Sequence, residues 1–166
     1  MTAPRDDARI APMLSSDWEG VAAVYAEGIA TGDSTFETEV PSWERWDADH
    51  LPELRLVARQ GGEVVGFAAA SRTSVRDVYR GVAECSVYVA RDARGSGGGE
   101  PLLGALIDAA DAAGYWTLEA VVFVENAPSR AMVEACGFRL VGRRERIGEV
   151  GGRWRDVFLF ERRRPG

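Results

Sequence analysis

Hydrophobic and polar positions along the chain switch between a period near two and a period near 3.6, and the switches predict its elements. A polar leader, Met1–Asp7, precedes a short apolar strand over Ala8–Met13. Ser15 or Ser16 caps a helix whose apolar stripe is Trp18, Val21, Val24, Tyr25 and Ile29, and Gly28–Ser34 ends it in a loop. After Thr35–Thr38 and Pro41, a second short helix is expected over Ser42–His50. Arg55–Arg59 and Val64–Ser71 read as strands joined by the hairpin turn Gln60-Gly61-Gly62. Arg72–Gly81 is polar and reads as a loop or a bent strand. Ala83–Ala90 is the next strand, rich in β-branched and aromatic residues.

The pattern then turns helical again. Leu102, Leu103, Leu106, Ile107 and Ala110 form one stripe, Pro101 suits the first turn, and Gly114 stops the helix after Ala113. Thr117–Val124 is a strand and Pro128–Ala135 a helix stopped by Gly137. Phe138–Arg144 and Trp154–Arg162 form an antiparallel pair around Gly148–Gly152. No repeat or linker breaks this order. The expectation is one α/β domain over residues 1–166, with a mixed, largely antiparallel central sheet flanked by helices.

Composition narrows the function. The 166 residues are 46% hydrophobic and 28% charged, the profile of a soluble globular domain. A net charge of −6 argues against general nucleic-acid binding, although a few arginines can still make a local anion site. No run of about 18 apolar residues suggests a membrane span, and the N-terminus has no signal-peptide pattern. The two cysteines, Cys85 and Cys136, have neither metal-ligand nor disulfide-framework spacing. They read as free thiols of a cytoplasmic protein, and no metal site is expected.

The most distinctive stretch lies between the strand ending at Ala90 and the helix beginning near Pro101. Four of the five residues Gly95-Ser96-Gly97-Gly98-Gly99 are glycine. Such a loop presents bare backbone N–H groups where a helix dipole favours an anion, so it reads as a phosphate seat or, more plainly, as a flexible connection. A P-loop needs lysine, and this chain has none. A dinucleotide fingerprint belongs to the first strand of its unit, whereas this loop lies past mid-chain.

The pattern Arg94-Gly95-Ser96-Gly97-Gly98-Gly99 resembles the acetyl-CoA motif of the GNAT N-acetyltransferases. Thr35-Phe36, Glu84–Val89, Asn126-Ala127-Pro128-Ser129, Cys136-Gly137-Phe138 and Gly152–Val157 also fall in the order of that superfamily's phosphinothricin acetyltransferase branch. The resemblance covers nearly the whole chain. It implies the GNAT fold, acetyl-CoA as co-substrate, acetyl transfer to a primary amine of a small molecule, and a homodimer.

It also implies a site, residue by residue. The backbone of Arg94, Gly95, Ser96, Gly97, Gly98, Gly99 and Glu100 is expected to hold the pyrophosphate, with Arg94 and Arg91 adding charge. Glu100 is awkward there unless its carboxylate points to solvent. Val87, Tyr88 and Val89 are expected to pair with the pantetheine arm as an added strand would. Asn126 and Ser129 match a second cofactor contact, while Asn126 reads equally as a helix N-cap.

Strand alternation places Glu84, Ser86 and Tyr88 on one face and Cys85, Val87 and Val89 on the other. Glu84 matches the general base that deprotonates the amine, or it forms a salt bridge to Arg76 or Arg80. A double displacement through Cys85 is disfavoured, because alternation turns it away from Glu84 and no nearby histidine activates it. Phe36, Arg72, Arg76, Tyr79 and Tyr88 are expected to line the acceptor pocket, with arginine suited to a carboxylate or phosphinate. Val133 stands where many relatives carry tyrosine or histidine, which leaves Tyr88 or solvent to protonate the leaving thiolate. The 148–152 hairpin also lacks the polar residues often found there. Other amines, protein N-termini, or a silent acetyl-CoA-binding domain stay open as alternatives.

Overall fold

The computed structural model describes residues 8–93 and 99–166. The expected leader Met1–Asp7 and the loop residues Arg94, Gly95, Ser96, Gly97 and Gly98 lie outside them. Among the described residues the chain runs β1 (Arg9–Pro12), α1 (Trp18–Ala30), α2 (Trp43–Asp49), β2 (Arg55–Gln60), β3 (Glu63–Arg72), β4 (Val82–Val89), α3 (Gly99–Ala112), β5 (Thr117–Phe123), α4 (Ala127–Ala135), β6 (Arg139–Val150) and β7 (Arg153–Arg163). The strands form one sheet in the order β1-β2-β3-β4-β5-β7-β6, antiparallel throughout except between β4 and β5.

The two apolar helix stripes explain the layering. On one face, Val21, Val24 and Tyr25 of α1 and Trp46 of α2 bury against Val57, Phe67 and Ala69. On the other, the α3 stripe Leu102, Leu103, Leu106, Ile107 and Ala110 covers Ala68, Ala70, Ala83, Cys85, Leu118, Ala120 and Phe160, with Val133 of α4 beside it. Each large α3 side chain contributes about 1.5–3 kcal/mol of burial. Small strand residues opposite large helical ones let the layers approach. Ser42 caps α2 by accepting from the Arg45 N–H at 3.3 Å.

Both tight hairpins use paired glycines at positive φ, as a type I′ turn requires: Gly61 and Gly62 at 60° and 84°, Gly151 and Gly152 at 58° and 77°. The second turn is narrower than the sequence reading, and β6 continues past Arg144 to Val150. A bulge hides that extension by shifting register between Arg144 and Gly148, with Arg146 at φ 49°. Asp156 of β7 pins the bulge, accepting from the Arg146 N–H at 2.8 Å and from Arg143 Nη2 at 2.5 Å.

One irregularity positions the site. β4 pairs with β5 only at Val82–Thr117, Ala83–Leu118 and Glu84–Glu119. Beyond Glu84 the two strands separate, while β5 stays paired to β7 through to Phe123–Val157. The sheet is therefore notched in its middle.

Candidate active site

Among the described residues the notch holds a small cavity of about 60 Å³, lined by Ser86, Val87, Val121 and Val122, and two larger ones. One, about 360 Å³, lies between Val87, Tyr88 and Val89 of β4 and Asn126, Pro128, Ser129 and Met132 at the start of α4. The other, about 160 Å³, is lined by Glu84, Ser86, Tyr88, Val121, Phe123 and Val157 below and by Ser34, Thr35, Phe36 and Glu37 above. Ser34 and Tyr88 line both, so the cavities meet at these two side chains. Of the described residues expected to hold the cofactor, Val87, Tyr88, Val89, Asn126 and Ser129 converge on the larger cavity. Gly99 and Glu100 begin α3, with Glu100 exposed and Cys136 Sγ 3.9 Å from its carbonyl oxygen.

Alternation along β4 holds as expected. Tyr88 turns toward α1, its ring 5.0 Å from that of Tyr25 and stacked on Phe67 at 5.2 Å. Gly28 admits it, since a Cβ there would stand 2.7 Å from Tyr88 Cδ1. Burial pushes the Tyr88 hydroxyl well above the usual tyrosine range, so it stays protonated as an O–H donor. Cys85 faces the α3 layer, donates to the Glu119 carbonyl at 3.3 Å, and has its thiol pushed up to about 12 by burial. Val133 is buried in the same layer.

The upper wall is the loop after α1, and its tethers are specific. Ser34 Oγ donates to the Gly28 carbonyl at 2.6 Å. Arg155 of β7, 5% exposed, donates to the Gly32 carbonyl at 2.7 Å, Asp33 Oδ1 at 2.7 Å and Glu125 Oε2 at 3.2 Å. Its guanidinium lies 4.2 Å from the Phe123 ring centre. Asn126 is a cap and a tether together: its Oδ1 accepts from the Ser129 N–H at 3.2 Å and its Nδ2 donates to the Asp33 carbonyl at 3.0 Å. Phe36 packs edge-on against Phe123 at 4.8 Å and stands over Gly148, where a Cβ would come within 2.6 Å of the ring. The sequence reading gave Arg155 and Ser34 no role. The usable signal was a charge at Arg155 in strand phase with the core residue Val157.

Glu84 stands at the last paired position before the notch. Burial pushes its carboxyl above the usual range, the neighbouring Glu119 pushes it further, and Arg144 opposes both. The salt bridge weighed from sequence is not made. Arg80 pairs with Asp77 at 3.5 Å and lies over Trp116, and Arg76 lies over the Tyr79 ring.

The structure does not bring together all the residues expected around the acceptor. Of the five residues expected to line that pocket, Phe36 and Tyr88 are among the described lining of the cavity of about 160 Å³, and Arg72, Arg76 and Tyr79 are not. Arg72 is the register partner of Ala83, on the sheet face opposite Glu84, and Arg76 and Tyr79 are exposed in the β3–β4 connection. Alternation that turns Glu84 into the notch turns Arg72 away from it, because Glu84 pairs with Ser71.

With this geometry in view, the model of the acetyltransferase (GNAT) family matches residues 18–138. The chain belongs to the GNAT family. It is 34% identical to the phosphinothricin N-acetyltransferase of Alcaligenes faecalis, over 88% of this chain and 77% of that protein. It is 31% identical to the L-methionine sulfoximine/L-methionine sulfone acetyltransferase of Pseudomonas aeruginosa, over 88% of each. The phosphinothricin acetyltransferase of Sinorhizobium meliloti, solved in complex with acetyl-CoA, superposes with a TM-score of 0.85 at 30% identity, covering 95% of this chain and 88% of that one. This GNAT chain is thus an N-acetyltransferase of the phosphinothricin acetyltransferase-like branch. No helix among its described residues is long and apolar enough to cross a membrane.

Proposed function

We propose that this enzyme moves the acetyl group of acetyl-CoA directly to the primary amine of a small amino acid or analogue, with Glu84 as general base. Acetyl-CoA is the co-substrate and supplies an activated thioester. The larger cavity fits it, because the β5-facing edge of β4 from Cys85 to Tyr88 has no strand partner among the described residues and can pair with an extended chain of amides. Asn126 and Ser129 would hold the same molecule from α4. Arg94 and the glycines, Gly95 to Gly99, would hold its phosphates.

The observation that carries the reading is the place of Glu84: a half-buried carboxylate at the last doubly paired position of β4, lining the cavity that meets the cofactor cavity at Ser34 and Tyr88. An ammonium group must lose a proton before it attacks a carbonyl, and a carboxylate pushed above its ordinary range is the better acceptor. Tyr88, also lining both cavities, is a weaker acid than an ordinary thiol when pushed up by burial. It is therefore available as an O–H donor at the junction rather than as the acid, and solvent supplies the final proton. The high thiol pKa of Cys85 supports direct transfer over a Cys-linked route. A cavity near 160 Å³, with Phe36 as an apolar wall, suits a small acceptor. Relatives named for phosphinothricin and methionine sulfoximine motivate the amino-acid class. The same reading expects a cytoplasmic homodimer, which sedimentation velocity tests.

The test is thiol release over a panel of amines, with Glu84→Gln beside the wild type. Turnover should fall by about 10²–10⁴ in the variant, while calorimetry shows unchanged acetyl-CoA affinity. Unaltered turnover across pH would remove Glu84 from the mechanism.

A further inference from the structure

A row of carboxylates crosses the sheet beside Glu84. Glu84 on β4 pairs with Glu119 on β5, and Glu119 pairs with Glu161 on β7. Cross-strand partners point to the same face, so the three side chains stand side by side. The outer one is paired: Glu161 accepts from Arg139 and, at 3.1 Å, from Arg163, although its charge still raises the Glu119 carboxyl. The inner two, among the described residues, have no arginine at ion-pair distance. Arg144 on β6 acts on them only through its field, from a position opposite Val157. Among the described residues, the other polar groups around Glu84 are Ser71 across β3, Ser86 and Tyr88 on β4, and Ser34, Thr35 and Glu37 of the loop, the last another negative charge. Among the described residues the acids form no group that could hold a metal ion. Glu119 is half-buried in the middle of a sheet, where an unpaired carboxylate is costly and stability alone does not favour it.

We propose that Glu119 is a positioning residue for acetyl transfer: it holds a second negative charge beside Glu84 and so makes that carboxylate a stronger acceptor of the substrate's proton. The proposal rests on the reading of Glu84 as the base. Two adjacent carboxylates resist joint ionisation, and the pair titrates in coupled steps. Arg144 opposes the effect and favours the ionised form of Glu84.

The two neighbours therefore have opposite signatures. The acid limb of the kcat–pH profile should move to lower pH in Glu119→Gln and to higher pH in Arg144→Gln. It should hold in Glu119→Asp, which keeps the charge. The plateau kcat should fall in Glu119→Gln while KM for acetyl-CoA holds. A Glu119→Gln profile that superimposes on the wild type overturns the proposal. Carbon-detected NMR titration of the unliganded protein, with the Glu84 carboxyl assigned by its loss in Glu84→Gln, reads the coupling without turnover. A Glu84 midpoint that Glu119→Gln leaves in place overturns the proposal by itself. A midpoint that moves in a protein inactive on every amine upholds the coupling and removes instead the assignment of Glu84 as base.

Discussion

Replacing Arg155 tests whether the wall above the acceptor cavity is built or incidental. Its guanidinium makes three hydrogen bonds, to Gly32, Asp33 and Glu125, and covers the Phe123 ring. Hydrogen bonds to charged groups contribute about 1.5–3 kcal/mol when shielded. Here the carboxylate partners Asp33 and Glu125 are 50% and 39% exposed, so each is discounted toward about 0.5–1 kcal/mol. The contact with Phe123 adds about 0.5–2 kcal/mol. Against these stands the desolvation of a buried cation whose Nε has no hydrogen-bond partner. The balance is a loss of about 2–4 kcal/mol for Arg155→Ala, or roughly 5–15 °C in Tm for a domain of this size. Arg155→Lys should recover little, because one ammonium cannot span three acceptors set for a planar fork.

Function separates this from a simple core defect. The loop that Arg155 ties down carries Ser34 and Phe36 into the site. Well below the variant's Tm, the acceptor KM should therefore rise about tenfold or more, with acetyl-CoA affinity changed far less. Thermal unfolding and initial-rate kinetics read the two effects. A folded Arg155→Ala with wild-type acceptor KM would refute the claim that this tether shapes the pocket.

Glu84→Gln should stabilise the protein as it inactivates it. Burial and Glu119 push the folded-state carboxyl up, so stability linked to Glu84 is full below the unfolded-chain value and lost as pH rises through the folded one. The variant's Tm should exceed the wild type's at mildly alkaline pH, and the gap should close on acidification; a gap that does not depend on pH contradicts the sign. Gly148→Ala drives a methyl to within 2.6 Å of Phe36, and the partly exposed ring can shift. A cost near 1 kcal/mol and a several-fold rise in acceptor KM alone are expected from melting curves and kinetics. Cys85→Ala should retain turnover within a few-fold, since a buried thiol pushed to about 12 is no nucleophile at neutral pH; abolished turnover in folded variant would revive the covalent route.

What the sequence made legible follows from which signals are local. The α1 and α3 stripes, the Gly61-Gly62 turn and the two faces of β4 each need only a few neighbouring residues, and each stands in the structure. The errors arise where one strand must be read against another. Arg72 was expected beside the acceptor. The register Ser71–Glu84 puts it on the far face. The end of β6 was lost because a bulge resets the alternation at Arg144. Arg155 escaped because its partners, Asp33 and Glu125, are 122 and 30 residues away in sequence. The coenzyme motif at Arg94–Gly98, the most distinctive signal in the chain, lies outside the described residues, and its phosphate role stands as part of the proposed function.

The division of labour across the notch has a physical logic. A general base belongs on the element least able to move, and Glu84, the proposed base, is the last residue of β4 held by strands on both sides, β3 through Ser71 and β5 through Glu119. One residue further along, the β5 side opens and the same strand offers its edge to a ligand. Moving the point of divergence earlier would free the base. Moving it later would close the cavity that Ser86 and Tyr88 line. The acceptor wall, by contrast, sits on a loop fixed by a few removable contacts from Arg155 and Asn126. Substitutions at those tethers can thus retune which amine is accepted while the carboxylate and the strand edge beside it stay in place.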